Sequence, residues 1–252
     1  RASKMLAPLS KTVQKLSIRN SLPQIELVAG DSEIALIFRH LEPLTNDDEK
    51  ALASFSARFD IDIFLQSGGP DTIKKLFPKD LRQDFFYELP DFSLRLSFSL
   101  GDFTQINLEA NRHLVNSVVS LLDLKKDDRV LDAFCGIGNF SLPIARSASI
   151  VYGVEYSESS VKRARINADL NNIHNCYFQA CDLALSDRTI GALNDVNKIV
   201  LDPPRSGASQ FISGLPIQNI ERIVYVSCNP VTFVKDLRIL VEKGFDFKVA
   251  GL

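Results

Sequence analysis

Hydrophobic residues follow two different rhythms along the chain, and the change falls near residue 100. Before it, short apolar runs rich in Val, Ile, Leu and Phe are separated by Gly, Pro and Asp clusters. They predict strands over residues 24–29 and 33–40, paired around Gly30-Asp31, then over 61–65 before a Ser67-Gly68-Gly69-Pro70 turn, with two more strand-like runs ending in residues 94–100. Helical spacing appears over residues 5–16 and again after Thr45. There Asp48 stands at the third position of a capping arrangement, and Ala51, Phe55 and Phe59 share one face. Residues 1–100 are therefore expected to form a small α+β domain.

From Gly101 onward, helical and extended patterns alternate. Helix 108–122 leads to strand 129–133, a glycine-containing loop and a helix starting near Asn139. Strand 150–154, helix 157–170, strand 177–180, strand 198–201, a helix after Ser209, strand 222–226, helix 231–244 and a last strand over 245–252 complete the series. Such alternation predicts an α/β fold with a doubly wound parallel sheet over residues 101–252.

Composition narrows the class. The 252 residues are 45% hydrophobic and 24% charged with a net charge of −2, a balance that fits a soluble chain with one or two cores. No apolar run reaches membrane-spanning length, and the first residues lead into an amphipathic segment rather than a signal sequence. A cytoplasmic chain with no membrane partner is expected. The four cysteines and three histidines lack metal-ligand spacing, so reduced thiols and no zinc site are expected. Basic residues gather at Lys4, Lys11, Lys15 and Arg19, and at Lys74, Lys75, Lys79 and Arg82. Elements put their charges on solvated faces in any case, so charge alone does not establish an RNA partner.

Five strand ends carry candidate chemistry. The β-branched run 223–226 stops at Ser227-Cys228-Asn229-Pro230. Pro230 suits the first turn of a helix, which puts Cys228 at the carboxyl end of a strand beside a helix N-terminus. In an open parallel sheet that edge binds ligands, and a helix N-terminus favours thiolate over thiol. A lone cysteine is otherwise as readily a small buried apolar residue. Gly136 and Gly138 follow strand 129–133 and let the backbone approach a ligand, while Ser141 stands where a dinucleotide fingerprint has its third glycine. That departure favours S-adenosylmethionine over NAD. Glu155 ends the second strand, where a carboxylate can accept both hydroxyls of a ribose, and Asp182 ends the third, within reach of an adenine edge. Each acidic residue alone could be only a helix cap; at successive strand ends they point to one nucleoside site. At the fourth strand end, Asp202-Pro203-Pro204-Arg205 fixes a rigid bend that leaves Asp202 over the sheet edge and offers Arg205 to a carbonyl or phosphate oxygen.

Taken together, Asp132-Ala133-Phe134-Cys135-Gly136-Ile137-Gly138-Asn139-Phe140, Val151-Tyr152-Gly153-Val154-Glu155, Leu201-Asp202-Pro203-Pro204-Arg205-Ser206-Gly207 and Val226-Ser227-Cys228-Asn229-Pro230 resemble, in this order, the RNA uracil-C5 methyltransferases. The resemblance is close from Asp102 onward, including Asp102-Phe103-Thr104-Gln105-Ile106-Asn107, and weaker upstream at Glu42-Pro43-Leu44 and Leu65-Gln66. It is nearest to the bacterial 23S ribosomal RNA branch; the tRNA branch usually carries extra chain between its third and fourth strands, which is absent between Asp182 and Asp202. The resemblance implies a Rossmann-like class I methyltransferase sheet preceded by the smaller domain, which would contribute RNA contacts. It also implies methylation of a flipped uridine at C5, with S-adenosylmethionine as cofactor and the chain acting as a monomer. It implies that Gln105, Phe134, Asn139, Glu155 and Asp182 hold the cofactor. Asp202 would lie between cofactor and base, Phe103, Gln105 and Arg205 would face the base, and Cys228 would be the nucleophile. Either Asp202 or Gln105 could read the uracil edge. A tRNA substrate, or a non-catalytic RNA-binding module on the same fold, are the alternatives. The related cytosine-C5 enzymes usually place their nucleophile just after the fourth-strand proline, where this chain has Arg205.

Full members of the ribosomal branch usually carry an N-terminal RNA-binding barrel and a four-cysteine iron–sulfur site. The cysteines here do not match the cluster ligands. The family's general base, a Glu in an H-x-E segment, and the strand inserted before its last would fall beyond Leu252. These 252 residues are therefore expected to bind cofactor but to turn over poorly.

Overall fold

The computed structural model describes residues 4–78, 84–102, 104–105, 107–183, 195–216 and 218–251. The chain divides into two compact units, Arg1–Tyr87 with Ser97–Leu108, and Glu88–Leu96 with Glu109–Leu252.

In the first unit a four-stranded sheet runs in the order β1 (Gln24–Ala29), β2 (Ile34–Arg39), β3 (Asp62–Gln66), β4 (Lys74–Phe77). β1 and β2 form the expected antiparallel hairpin, with Val28 opposite Ala35. β2 and β3 are parallel and joined through α2 (Asn46–Phe59). The core gathers Leu36, Phe38 and Ile63 from the sheet with Leu52 and Phe55 from α2 and Leu16 from the end of the first helical segment. That segment, α1 (Leu6–Val13), is shorter than the predicted 5–16, because Lys15 and Leu16 donate to Thr12 and Val13 in i→i+3 bonds that tighten its last turn. Lys75 of the second basic group bridges Asp62 at 3.1 Å and is largely buried, so it is not a free surface charge; Lys79 and Arg82 lie outside the described residues. β5 (Phe85–Leu89) and β6 (Leu94–Phe98) pair as a separate two-stranded sheet.

The capping box at α2 forms as predicted. The Thr45 hydroxyl accepts from the Asp48 amide, and the Asp48 carboxylate accepts from the Thr45 amide at 2.9 Å. The same carboxylate also accepts from the Ser17 amide at 2.7 Å and from its hydroxyl, joining the end of the first helical segment to α2. Burial acts to raise the pKa of Asp48, but the hydrogen bonds from Ser17 and Thr45 outweigh it and hold the carboxyl at about 2. A depressed carboxyl stabilises the fold above its ordinary titration range, near 4, and that stabilisation is lost as pH falls through about 2. Asp48→Ala is expected to cost this unit about 2–3 kcal/mol near neutral pH, from the lost cap and the stranded Ser17 donors. Denaturant unfolding should show the difference from the parent narrowing as the pH falls from about 4 to about 2.

The second unit carries the five-stranded sheet, with β7 (Arg129–Ala133), β8 (Ile150–Glu155), β9 (Cys176–Ala180), β10 (Lys198–Leu201) and β11 (Arg222–Tyr225) in the order β11-β10-β7-β8-β9, every pair parallel. α3 (Leu108–Leu122), α4 (Ser141–Ala145), α5 (Glu158–Leu170), α6 (Ser209–Gly214) and α7 (Pro230–Glu242) connect and flank the strands. β10 is buried at every position, the sign of a strand covered on both faces. The strand order reverses between β7 and β10, which opens a crevice at their carboxyl ends where such sheets bind ligands.

Two expectations need correction. No strand forms among the described residues 245–251, where residues 245–252 were expected to extend. Gly244 takes φ +100 after α7 and Phe245 turns back to donate to Leu240, which caps the helix, and the described residues that follow take no strand pairing. The helix expected near Asn139 starts at Ser141, because the turn from Phe134 through Gly138 uses three positive-φ residues first.

Candidate active site

The register brings the candidate residues to one edge. Ala133 pairs with both Leu201 and Val154, and Leu201 with Tyr225. The ladder continues past these ends. Asp202 donates its amide to Ala133, Val226 to Leu201 at 2.7 Å, Phe134 to Val154 at 2.8 Å and Cys181 to Glu155 at 2.8 Å. Phe134, Asp202 and Val226 therefore leave the sheet at one level, with Glu155 beside them and Asp182 beyond it.

On the β7–β8 side, Phe134 adopts φ +68 and its ring meets Phe211 edge-on at 6.4 Å. Gly136, at φ +53, has nothing within 4 Å of where a Cβ would stand, so open space lies above the turn. The Glu155 carboxylate accepts from the Gly136 amide at 3.2 Å through one oxygen and from the Ser157 amide at 3.0 Å through the other. Asn139 exchanges a reciprocal pair of amide hydrogen bonds, each 2.9 Å, with buried Asn111 of α3. Its side chain thus braces the turn from behind. Asp182 is half-buried after β9.

Beneath the turn, Asp132 is fully buried. One oxygen accepts from the Ser141 hydroxyl and the other has no hydrogen-bond partner. Burial, with smaller contributions from the charges of Asp202 and Glu155, pushes its carboxyl up to about 7 against the pull of Ser141. Burial likewise raises Asp202 to about 6. Asp202 and Glu155 thus both disfavour the charged form of Asp132.

On the β10–β11 side, Cys228 is exposed, one residue before Asn229, the N-cap of α7. The other thiols differ: burial raises the pKa of Cys135 and pushes Cys176 up to about 12, and Cys181 is half-buried. The Asn229 amide nitrogen donates to the Arg205 carbonyl at 3.0 Å while its oxygen accepts from Val231, and the Thr232 hydroxyl also donates to Arg205 at 3.2 Å. The loop bearing Cys228 is thereby fastened to the loop bearing Asp202 and Arg205. Burial, the hydrogen bond to Asp236 and the Asp236 charge hold the Tyr225 hydroxyl well above its ordinary range. The Arg205 residue is exposed. Gln105 is half-buried in the first unit, and Phe103 lies outside the described residues.

Sequence reasoning passed over Asn111 and Asp236, and read Ser141 only as the residue in place of a third glycine, not as the partner of Asp132. Asp236 had a readable signal: it stands with Phe233 and Leu240 on the i, i+3, i+7 face of α7, where an apolar residue is expected. Asn111 had the same signal, standing with Val115, Val118 and Leu122 on the buried face of α3, but its partner, 28 residues away, could not be read.

The family model that matches residues 2–245 is described as tRNA (Uracil-5-)-methyltransferase. The chain belongs to this family. Within it, the chain is 44% identical over 249 residues to the 23S rRNA (uracil(1939)-C(5))-methyltransferase RlmD of Legionella pneumophila (strain Corby), covering 97% of this chain and 55% of that protein. It is 43% identical to RlmD of Hahella chejuensis, covering 97% and 56%. The chain thus spans about half the length of the curated relatives it matches. Among solved structures, the Pyrococcus abyssi tRNA (uracil-54, C5)-methyltransferase in complex with S-adenosyl-L-homocysteine superposes with TM-score 0.66 at 22% identity, over 85% of this chain and 52% of that one. The M. jannaschii tRNA m1G37 methyltransferase gives 0.60 at 15% identity, over 96% and 69%. With the observed strand order, these neighbours make the family's sheet here a Rossmann-like class I methyltransferase fold. Among the described residues no helix is long and apolar enough to cross a membrane, and no group of three or more His, Cys, Asp or Glu side chains is placed to hold a metal.

Proposed function

We propose that this chain transfers the methyl group of S-adenosylmethionine to C5 of a uridine in 23S ribosomal RNA, through a covalent bond between Cys228 and C6 of the uracil. The observation that carries the reading is the exposed Cys228 thiol at the sheet edge, hydrogen-bonded through its neighbours to the Asp202–Arg205 loop. The 44% identity to a relative named for 23S rRNA favours ribosomal RNA over tRNA.

The cofactor fits the donor set. Its sulfonium and ammonium charges suit an edge where Asp132, Asp202 and Glu155 interact, one Asp132 oxygen is unpartnered, and the space above Gly136 is open. Glu155 would take the ribose, Asp182 the adenine edge, Phe134 and the turn braced by Asn139 the remainder, with Gln105 as a further contact. Bound S-adenosylmethionine supplies an electrophilic methyl group.

C5 of uracil is too weak a nucleophile to take that methyl unaided. Cys228, as thiolate, adds to C6, and the displaced electron pair makes C5 and its conjugated carbonyl an enolate. Arg205 would donate to the developing oxyanion, Phe103 and Gln105 would hold the base, and Asp202 would stand between base and methyl donor. C5 bonds to the methyl carbon as the carbon–sulfur bond of the donor breaks. Loss of the C5 proton to a base then expels the Cys228 thiolate and restores the double bond. The base must leave its stack for C6 to be reached, which favours a loop or single-stranded target. The chain would act as a monomer, with residues 1–100 contributing RNA contacts.

A rRNA fragment carrying 5-fluorouridine tests this, because fluorine at C5 cannot leave as a proton and the adduct is trapped. With S-adenosylmethionine present, a denaturation-stable protein–RNA species bearing one transferred methyl is expected. Turnover-free incubation that yields no such species, with cofactor demonstrably bound, would overturn the covalent route.

A further inference from the structure

Asp236 carries a buried carboxylate, 1% exposed, on the inward face of α7. Burying a charge is costly unless hydrogen bonds satisfy it, so the partners of this carboxylate define its role. One oxygen of this carboxylate accepts two hydrogen bonds at 2.6 Å: from the hydroxyl of Tyr225 and from the amide of Ala208. Tyr225 is the last residue of β11, three positions before Cys228. Ala208 is the N-cap of α6, three positions after Arg205. Gly207 completes the arrangement: at φ +81 its missing Cβ would stand 2.7 Å from the same oxygen, so the loop can approach the carboxylate only as glycine.

The two loops are therefore tied twice. Near their tips, Asn229 and Thr232 hold the Arg205 carbonyl; at their bases, Asp236 holds Tyr225 and Ala208. We propose that Asp236 is a positioning residue that sets the distance between the Cys228 loop and the Asp202–Arg205 loop, so that thiol and base-side groups meet one uracil ring in register. The proposal rests on the covalent route above. It follows from the strictness of that route: the sulfur must approach C6 while the opposite part of the ring faces Asp202 and Arg205, and a misplacement of about 1 Å can cost about 100-fold in rate.

Three variants test it with 5-fluorouridine RNA. Asp236→Ala removes both bonds and should slow adduct formation about 100-fold at saturating RNA, with the RNA concentration for half-maximal rate changed less than about threefold. Asp236→Asn keeps an oxygen able to accept both bonds and should restore the rate to within a few-fold of the parent. Tyr225→Phe removes one bond and should fall between them. S-adenosylmethionine affinity should change less than about threefold in all three, since Asp202 keeps its own amide bond to Ala133. A thiol titration separates positioning from collapse: Cys135 is 3% exposed and should stay unreactive in Asp236→Ala, whereas an unfolded chain would expose it. Unchanged adduct rates in Asp236→Ala, or slowing that runs parallel with lost cofactor binding and a reactive Cys135, would overturn the positioning role. Should the parent itself form no adduct, the covalent route fails first, and the positioning role with it.

Discussion

Replacing Cys228 by Ala is expected to lower methyl transfer at least about 10⁴-fold, because the proposed route then has no nucleophile to activate C5. S-adenosylmethionine binding should change less than about threefold. The thiol is exposed and packs into no core, and the carboxylates and glycine turn assigned to the cofactor lie on other strands. The paired measurements are cofactor affinity by calorimetry and transfer of a labelled methyl group to an rRNA fragment. Residual transfer above about one part in a hundred would mean that C5 is activated some other way. Loss of cofactor binding would instead make Cys228 a structural residue.

The second large effect belongs to Asp202. Asp202→Asn is expected to reduce methyl transfer about 100-fold, the range for misplacing reacting groups by about 1 Å, since Asp202 is proposed to stand between base and methyl donor. It should also change the pH dependence of cofactor affinity. Burial raises this carboxyl from its ordinary value to about 6, so it is protonated below that pH in the free protein. A cationic ligand prefers the ionised form, and affinity should rise as pH increases through about 6. In Asp202→Asn that step should vanish, and the remaining one, belonging to Asp132 near 7, should move lower because Asp202 no longer repels it. The sign for folding is opposite. A raised carboxyl stabilises the fold fully below its ordinary range, near 4, and that contribution is lost as pH rises through about 6, so the variant's stability should be flatter than the parent's over that interval. An affinity profile unchanged by the substitution would separate Asp202 from the cofactor.

Much of this architecture was readable from local pattern. β7 was expected and found over the same residues, as was α3, because a buried parallel strand and an amphipathic helix each carry a period of their own. The Thr45–Asp48 cap was readable because both partners lie within one turn. Extended propensity over residues 245–252 misled, since a strand needs a partner that local sequence does not reveal. The same limit applies at the site. Strand-end residues such as Glu155 and Cys228 announce themselves by position. The residues that hold those loops do so across long separations: Asp236 to Ala208 spans 28 residues, and Asn229 to Arg205 spans 24. Asn139 shows the other side of this. The family resemblance implies that it holds the cofactor, while its side chain exchanges two hydrogen bonds with Asn111.

Glu155 has a consequence for the order in which the crevice is built. An ionised carboxylate offers about four acceptor directions, and here two are already committed to main-chain donors, one from the turn after β7 and one from the start of α5. The remaining two equal the number of donors on a vicinal diol. Glutamine at this position would turn an N–H₂ toward one of those main-chain donors, setting like against like. The same atoms that would greet a sugar thus also keep the glycine turn in shape before any sugar arrives.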